Sequence, residues 1–299
     1  MKVSSRSIRL PLIILLFNGI LSLVTLLNMY SVIAQVRTTA VIQYSSFMDM
    51  YKFVTTIEII LLLFIVPAVT AASISGERER QTLDLMLTTQ MTAAQVVIGK
   101  LMSALSTLLL LIVSSFPAVA MVFVYGGITW PDVFSLLLCY LAAAFFAGTL
   151  GICFSAVFKR STISTVVTYG ALIAVVAGTY FINKFCLSLS ATRISSAVAA
   201  FGTEAGLKAT SGGAFYLLLL NPAATFLAII SGQTEGGKAV AEICSYFGMN
   251  PDGFVMDNWV IISIMIQVAL ACIMIAVAIW CVEPVKSRRR QNKNRKKGV

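Results

Sequence analysis

The residues that could carry out chemistry are few in this sequence. The 299 residues include no histidine, which excludes histidine metal sites and histidine acid–base catalysis. The six cysteines contain no Cys-x-x-Cys pair, and cysteines in apolar surroundings usually serve as small packing residues. No nucleophile–base pair or set of metal ligands stands out in the apolar stretches. We therefore predict that the chain is not an enzyme and holds no metal or cofactor of its own.

The densest run of charged side chains extends from Glu77 to Arg80, and such a run can form ion pairs with a partner surface. Apolar residues follow it at helical spacing: Leu83, Met86 and Leu87. This pattern predicts an amphipathic helix over residues 77–95 at the inner membrane surface. Gly76 separates the predicted helix from the apolar stretch before it, and Gly99 marks entry into the next one. The alternative is an interfacial helix that only anchors its loop.

The composition is that of a membrane protein. Hydrophobic residues make up 59% of the chain and charged residues only 11%, with a mean hydropathy of +0.92. An average soluble domain has about 25% charged residues. A water-soluble globule of this composition would have to expose a largely apolar surface, so we place the chain in a bilayer.

Six apolar stretches are long enough to cross a bilayer, which takes about 20 residues. We predict helices, because open strands in lipid would leave backbone groups unpaired. The predicted spans run approximately over residues 10–34, 53–74, 101–125, 133–158, 163–185 and 259–282. The first could be a cleaved signal peptide, but its apolar part exceeds the roughly 7–15 residues of a typical signal. The predicted fold is an all-α integral membrane protein, with residues 1–285 as one transmembrane domain.

The distribution of lysine and arginine predicts the orientation of the spans. Most of the 22 such residues lie in segments that are cytoplasmic if the N-terminus is inside, including the basic tail of residues 286–299. The positive-inside rule therefore predicts that both termini are cytoplasmic. We expect the tail to rest on anionic lipid heads. We do not expect nucleic acid as a partner, because no aromatic residues for base stacking interleave these charges.

A further apolar segment, residues 213–232, lies between the fifth and sixth spans. Counting it as a span would place the basic tail outside. The Asn221-Pro222 step also breaks it, because proline lacks an N–H donor and restricts the residue before it. We therefore predict a re-entrant helical pair within a structured outer cap of about residues 186–258. Cys186 and Cys244 lie in this cap, and the sequence does not decide whether they form a disulfide.

The charged loop resembles a known family signature. The string that begins at Ser75 reads S-G-E-R-E-x-x-T-L-D-L-x-L-T-T and is followed by I-G-K at residues 98–100. It resembles the signature of type-2 ABC transporter permeases, in which a helix after the second span precedes a G-K that opens the third. The matching positions are Gly76, Glu77, Arg78, Glu79, Thr82, Leu83, Leu85, Leu87, Thr88, Thr89, Gly99 and Lys100. The six spans and the Asn221-Pro222 step also resemble this family, whereas Gln90 stands where the family usually has proline.

The resemblance implies a membrane subunit driven by a cytoplasmic ABC ATPase. Gly99-Lys100 lacks the other residues of a phosphate-binding loop, so ATP and Mg would bind to an ATPase on a separate chain. The implied coupling residues are Glu77, Arg78, Glu79 and Arg80 for ion pairing, Leu83, Leu85, Met86 and Leu87 for apolar anchorage, and Thr82, Gly99 and Lys100 beside them. A second permease chain, like or unlike this one, would complete the transport path.

Polar residues of the first two spans are candidates for lining that path. Asn18, Ser22 and Thr25 form a stripe on one helix face, and Glu58 is the only acidic or basic residue away from the ends of a span. Interhelical hydrogen bonds, worth about 0.6 kcal/mol each, are the alternative for the stripe. For Glu58, the alternative is a carboxylate that reaches the outer interface.

Small residues spaced four apart predict close helix contacts in two spans. In the fourth span these are Ala144, Ala147, Gly148 and Gly151, and in the fifth Gly170, Ala174 and Gly178. We expect these contacts to form within one chain rather than between chains.

Together these features predict the permease subunit of an ATP-driven exporter in the plasma membrane of a bacterium, with an unspecified substrate. A secondary transporter is disfavoured, because such carriers generally need several buried ionisable groups. The other alternative is a non-transporting membrane scaffold or assembly factor that docks a soluble partner through residues 77–95.

Overall fold

The computed structural model describes residues 9–39, 44–83, 86, 91–126, 128–201, 208–235, 238–250 and 253–283, in which the regular elements are helices and there is no strand. The α-helices are α1 (Arg9–Thr39), α2 (Tyr44–Thr70), α3 (Ser75–Glu79), α4 (Ala93–Gly126), α5 (Trp130–Val157), α6 (Ser161–Ile173), α7 (Thr179–Phe201), α8 (Pro222–Glu235), α9 (Lys238–Tyr246), α10 (Phe254–Asp257) and α11 (Trp259–Val282). A π-helical segment, Ala174–Gly178, joins α6 to α7, and a 3-10 segment, Gly212–Leu220, precedes α8. Several residues singled out by the sequence lie outside the described residues: Leu85, Leu87, Thr88, Thr89, Gln90 and the tail of residues 286–299.

Six helices of the described residues are long and apolar enough to cross a membrane, which confirms the predicted number. The candidate spans are Pro11–Ala34, Ser46–Glu79, Ala93–Pro117, Trp130–Val157, Ser161–Ala199 and Trp259–Val282. Several helices extend beyond their predicted limits: α1 continues to Thr39 and α2 begins at Tyr44. The helix of the third span begins at Ala93, because Thr92 and Gln95 cap each other's backbone N–H groups at 2.9 and 3.3 Å. The helix of the fifth continues to Phe201, since neither glycine nor proline interrupts residues 179–201.

Helix α5 lies at the centre of the bundle, in contact with α2, α4, α6, α8 and α11. In an 18-residue apolar stretch of this span, 72% of the residues are buried, whereas the corresponding share is 17% in the first, fifth and sixth spans. Its small residues explain this position. A Cβ added at Gly151 would lie 2.1 Å from Thr70 Oγ1 and 3.2 Å from the Ala71 backbone nitrogen. The close approach predicted for the fourth span is therefore confirmed within one chain.

The loop after α2 differs from the single predicted helix over residues 77–95. A turn leads from α2 into α3, and Gln81 then adopts a φ of +59°, a left-handed conformation that ends a helix. Beyond it, the described residues with helical backbone are Thr82, Leu83 and Met86. The break falls at Gln81 rather than at Gly76, which lies inside α3. Gly99 lies inside α4 rather than at its start.

The predicted break between the fifth and sixth spans is confirmed at Asn221. The 3-10 segment and α8 meet there at an angle of 88°. Aromatic rings cover the bent pair from the side of α9 and α11: Phe215 lies 6.1 Å from Phe247 and 5.3 Å from Trp259 between ring centroids. The bent pair, α9 and the start of α11 therefore form the cap end of the molecule, opposite the end that carries α3.

Candidate functional site

The carboxylate of Glu79 caps the N-terminus of α6. It accepts hydrogen bonds from the backbone N–H of Ser161 at 2.9 Å and from the Ser161 hydroxyl at 2.7 Å. Arg160, the residue that precedes α6, provides no cap from its own side chain. Since the first N–H groups of a helix have no partner in the helix and favour negative charge, Glu79 fills this role from another element. The end of α3 is thereby bound to the start of the fifth span.

Two further charged residues bind α3 to its other neighbours. Glu77 forms an ion pair with Lys100 of α4, and both side chains are partly buried. The guanidinium of Arg78 donates to the backbone carbonyl of Ala156 in the last turn of α5 at 3.1 Å, where carbonyls lack partners within the helix. Together with Glu79, these side chains connect one short helix to the ends of three spans.

Serine hydroxyls satisfy the buried turn between α2 and α3. The Ser155 hydroxyl accepts hydrogen bonds from the backbone N–H groups of Ile74 and Ser75, each at 2.9 Å. The Ser164 hydroxyl of α6 donates to the carbonyl of Ala71 at 2.6 Å. Both serines are fully buried, so the turn is fixed by α5 and α6. Sequence analysis missed Ser155, Ser161 and Ser164; their only signal is that they lie near the ends of the fourth and fifth spans.

Leu83 faces the bundle rather than away from it. Its side chain is 3% exposed and belongs to an apolar cluster with residues of α4, α5 and α11, against which Met86 also packs. Leu83, which was predicted to anchor a partner, therefore packs against this chain's own helices. Five of the exposed residues on this loop form what we call the loop surface: Arg80, Gln81, Thr82, Met91 and Gln95.

The predicted stripe on α1 divides between two faces. The Asn18 amide donates to the Ser114 hydroxyl of α4 at 2.9 Å, and the Thr25 hydroxyl donates to the Leu21 carbonyl at 2.8 Å. Ser22, by contrast, is exposed. The contact of Asn18 is the interhelical hydrogen bond expected under the alternative interpretation.

Glu58 is buried among three helices, with 1% of its surface exposed. Ser115 of α4 donates to one carboxylate oxygen, and the hydroxyl of Tyr140 in α5 lies 3.1 Å from the other. Tyr140 also reaches the carbonyl of Thr55 at 3.1 Å. The interpretation in which this carboxylate reaches the outer interface is therefore wrong, because it is buried and bonded to hydroxyls of α4 and α5.

Asn221 connects the bent pair to the π-helical segment of the fifth span. Its amide nitrogen lies 2.9 Å from the Val176 carbonyl and 2.9 Å from the Thr179 hydroxyl. Its side-chain oxygen accepts from the backbone N–H of Ala223, also at 2.9 Å. Carbonyls in a π-helix are displaced from the regular α-helical pattern, and Pro222 supplies no N–H donor of its own. Asn221 therefore satisfies the backbone at both irregular points.

The cap cysteines do not pair with each other. Cys186 and Cys244 are both free thiols, and Cys244 is buried with its sulfur 3.5 Å from the sulfur of Met256. Among the residues that the structure describes, no group of three or more potential metal ligands comes together.

These features define a class: a multi-pass helical membrane protein with a charged loop bound to the ends of its spans. A family model described as "ABC-2 family transporter protein" matches residues 2–282, and the chain belongs to this family. It is the membrane subunit of an ABC transporter, which is not itself catalytic, and the family implies an ABC ATPase as its partner. The search of curated proteins found no match to this chain.

Proposed function

We propose that the chain is the permease subunit of an ATP-driven exporter in the plasma membrane of a bacterium. Family membership supports the ATP-driven mechanism. The excess of lysine and arginine on one side supports an orientation with both termini and residues 75–100 in the cytoplasm. The single observation that carries the mechanism is the set of bonds from Glu77, Arg78 and Glu79 to three spans.

In this mechanism, the ATPase docks on the loop surface and moves α3. The exposed charge of Arg80 and the exposed apolar side chain of Met91 supply contacts of both kinds that protein interfaces use. Glu77, Arg78 and Glu79 have partners inside the chain, so we assign them to transmission rather than to docking. Motion of α3 would be passed to α4, α5 and α6 together, because each is bonded to it.

Transport requires a path, which we propose forms between this chain and a second permease chain. Among the described residues, the within-chain contact expected at Gly170 of the fifth span is not formed: a Cβ placed there would have no atom beyond its own stretch of helix within 4 Å. A neighbouring helix therefore has room to approach at the level of Gly170. Asn18 and Glu58 are bound within the chain, and we assign them to holding helices together. Ser22 is the exposed member of the predicted set and is our candidate for the path.

Affinity purification in mild detergent, with an ATPase assay on the eluate, tests this function. We expect a vanadate-sensitive ATPase to co-purify and to be largely lost in Arg80→Glu, since that substitution reverses a charge of the loop surface. The matched control is Lys208→Glu, a charge reversal at an exposed residue of the cap end, which should retain the ATPase. Failure of any ATPase to co-purify, even after crosslinking, would favour the scaffold alternative.

A further inference from the structure

An apolar cavity of about 450 Å³ lies between the fifth span and the cap, within the size range of ligand sites. Its lining comes from the π-helical segment, α7, the 3-10 segment, α8 and α9: Val176, Tyr180, Leu218, Asn221, Ala223, Ala224, Leu227, Glu242, Ile243, Tyr246 and Phe247. Asn221 is the one amide in this lining. Its nitrogen is already bonded to Val176 and Thr179, and its oxygen to Ala223. The depth of the cavity therefore suits an aliphatic chain better than a polar ligand.

The mouth of the cavity carries charged and aromatic groups. The ammonium of Lys184 lies 5.8 Å from the ring centroid of Tyr180 and 5.9 Å from that of Tyr246. A hydrogen bond from Lys184 lowers the pKa of the Tyr246 phenol, and a hydrogen bond from Tyr180 lowers it to a smaller extent. The carboxylate of Glu242 lines the same cavity. A cation, an anion and two phenols thus stand where an aliphatic chain would end in a polar head.

The cavity opens on an exposed apolar surface of the fifth span and the cap. At its edge Leu227 is 50% exposed and Tyr246 51% exposed. On the adjoining surface of α7, Phe181 is 70% exposed and Phe185 54% exposed. Large apolar side chains exposed on a membrane-spanning helix contact lipid tails, and tyrosines concentrate at the level of the head groups. A lipid molecule can therefore reach this cavity from the side.

We propose that the cavity binds one acyl chain of a zwitterionic phospholipid, with the phosphate of the head group at Lys184 and its ammonium at Glu242. The acyl chain would contact Val176 on one wall of the cavity and Leu227 on the other. These residues lie on the two sides of the joint that Asn221 makes. The bound lipid would hold the bent pair against the fifth span. Lipid binding at this cavity is independent of which substrate the transporter moves.

Photolabelling tests this site directly. The purified protein is placed in nanodiscs of a zwitterionic phospholipid that contain a trace of the same lipid with a diazirine on its acyl chain. After irradiation, labelled peptides are identified by mass spectrometry. We expect the label to concentrate on residues 218–227 and 242–247, about fivefold above the exposed face of α11 at Ile261 and Met265, a preference that corresponds to about 1 kcal/mol.

Filling the cavity should remove this label. Ala223→Phe places a ring in the cavity and should lower the label about fivefold, whereas Leu217→Phe, on the adjoining 3-10 segment but outside the lining, should leave it unchanged. Leu227→Trp fills the exposed mouth and replaces Ala223→Phe if that variant does not fold. Glu242→Gln should lower the label from the zwitterionic lipid, and an anionic lipid with the same photoreactive chain should label the site several-fold less.

The proposal would be overturned by label spread evenly over the exposed apolar faces. Undiminished label in a folded cavity-filling variant, or equal label from the anionic lipid, would overturn it as well. None of these outcomes depends on ATPase binding, so the proposed transport function would stand or fall separately.

Discussion

At the scale of single residues, the packing of the bundle depends on positions where side-chain size or polarity admits little change. Gly151 allows α5 to approach the end of α2, and Glu58 depends on hydroxyls from two neighbouring helices. Hydropathy alone does not indicate either contact, because both positions lie in apolar spans whose buried faces it does not resolve.

Gly151→Ala should destabilise the protein. The new Cβ would lie 3.0 Å from Thr70 Cβ and 3.2 Å from the Ala71 backbone nitrogen, so rotation of the Thr70 hydroxyl alone would not make room. We expect a loss of about 1–3 kcal/mol, typical of an overpacked core, measured by thermal unfolding in detergent. Gly148→Ala is the matched control: its nearest neighbour would be at 3.5 Å, and its melting temperature should hardly change. Equal effects of the two substitutions would contradict the close approach at Gly151.

Ser115→Ala should also destabilise the protein, because it removes a donor from the buried carboxyl of Glu58. Leaving a buried polar group without its partner costs about 1–3 kcal/mol, again read from thermal unfolding. Ser106→Ala is the control on the same helix, since Ser106 is exposed and, among the described residues, its hydroxyl donates to the Met102 carbonyl of its own helix. A stability of Ser115→Ala equal to that of the control would show that the contact with Glu58 contributes nothing.

At the scale of elements, two short helical pieces determine how the spans are connected. Helix α3 binds the ends of three spans, and the bent pair at Asn221 binds the π-helical segment. A break in the helical backbone accompanies each piece, at Gln81 after α3 and at Asn221 within the bent pair. Proline marks the second break in the sequence, and no comparable residue marks the first.

Asn221→Ala should loosen the joint between the bent pair and the fifth span. The substitution removes the Asn221 amide donor from the Val176 carbonyl and from the Thr179 hydroxyl, so hydrogen exchange should accelerate in the π-helical segment and at the start of α8. Asn258→Ala is the control, because among the described residues the Asn258 side chain donates to the Phe254 carbonyl of its own helical turn. Unchanged exchange at Ala174–Gly178 in Asn221→Ala would contradict the joint.

The ion pair of Glu77 with Lys100 should be recoverable by exchanging its charges. Glu77→Lys places two cations together and should lower both stability and co-purifying ATPase activity. Adding Lys100→Glu should restore much of both. Because the pair is only partly buried, the coupling energy from the double-mutant cycle should be about 1 kcal/mol. A double variant no better than Glu77→Lys would indicate that Glu77 acts through another group.

The sequence predicted the elements better than it predicted the contacts between them. Six spans and the Asn221 break follow from apolar length and from the chemistry of proline. The break at Gln81 did not, since glutamine has no particular preference for a left-handed backbone. Nor did the contact of Glu79 with Ser161, because residues distant in sequence leave no periodic pattern.

At the scale of the whole molecule, the arrangement separates a loop end from a cap end, with α5 between them. The loop surface gathers exposed charged, polar and apolar side chains around α3, while the cap end holds the bent pair. In the proposed orientation, the loop end faces the ATPase and the cap end faces the outer leaflet.

The most direct test of this account is photo-crosslinking in living cells from a benzophenone amino acid placed at Gln81. We predict an adduct that mass spectrometry identifies as an ATPase with a phosphate-binding loop. The same probe at Lys208, in the cap, should give no such adduct. An ATPase adduct absent from position 81, or equally strong from position 208, would contradict the assignment of the loop surface as the site where ATP hydrolysis is coupled to transport.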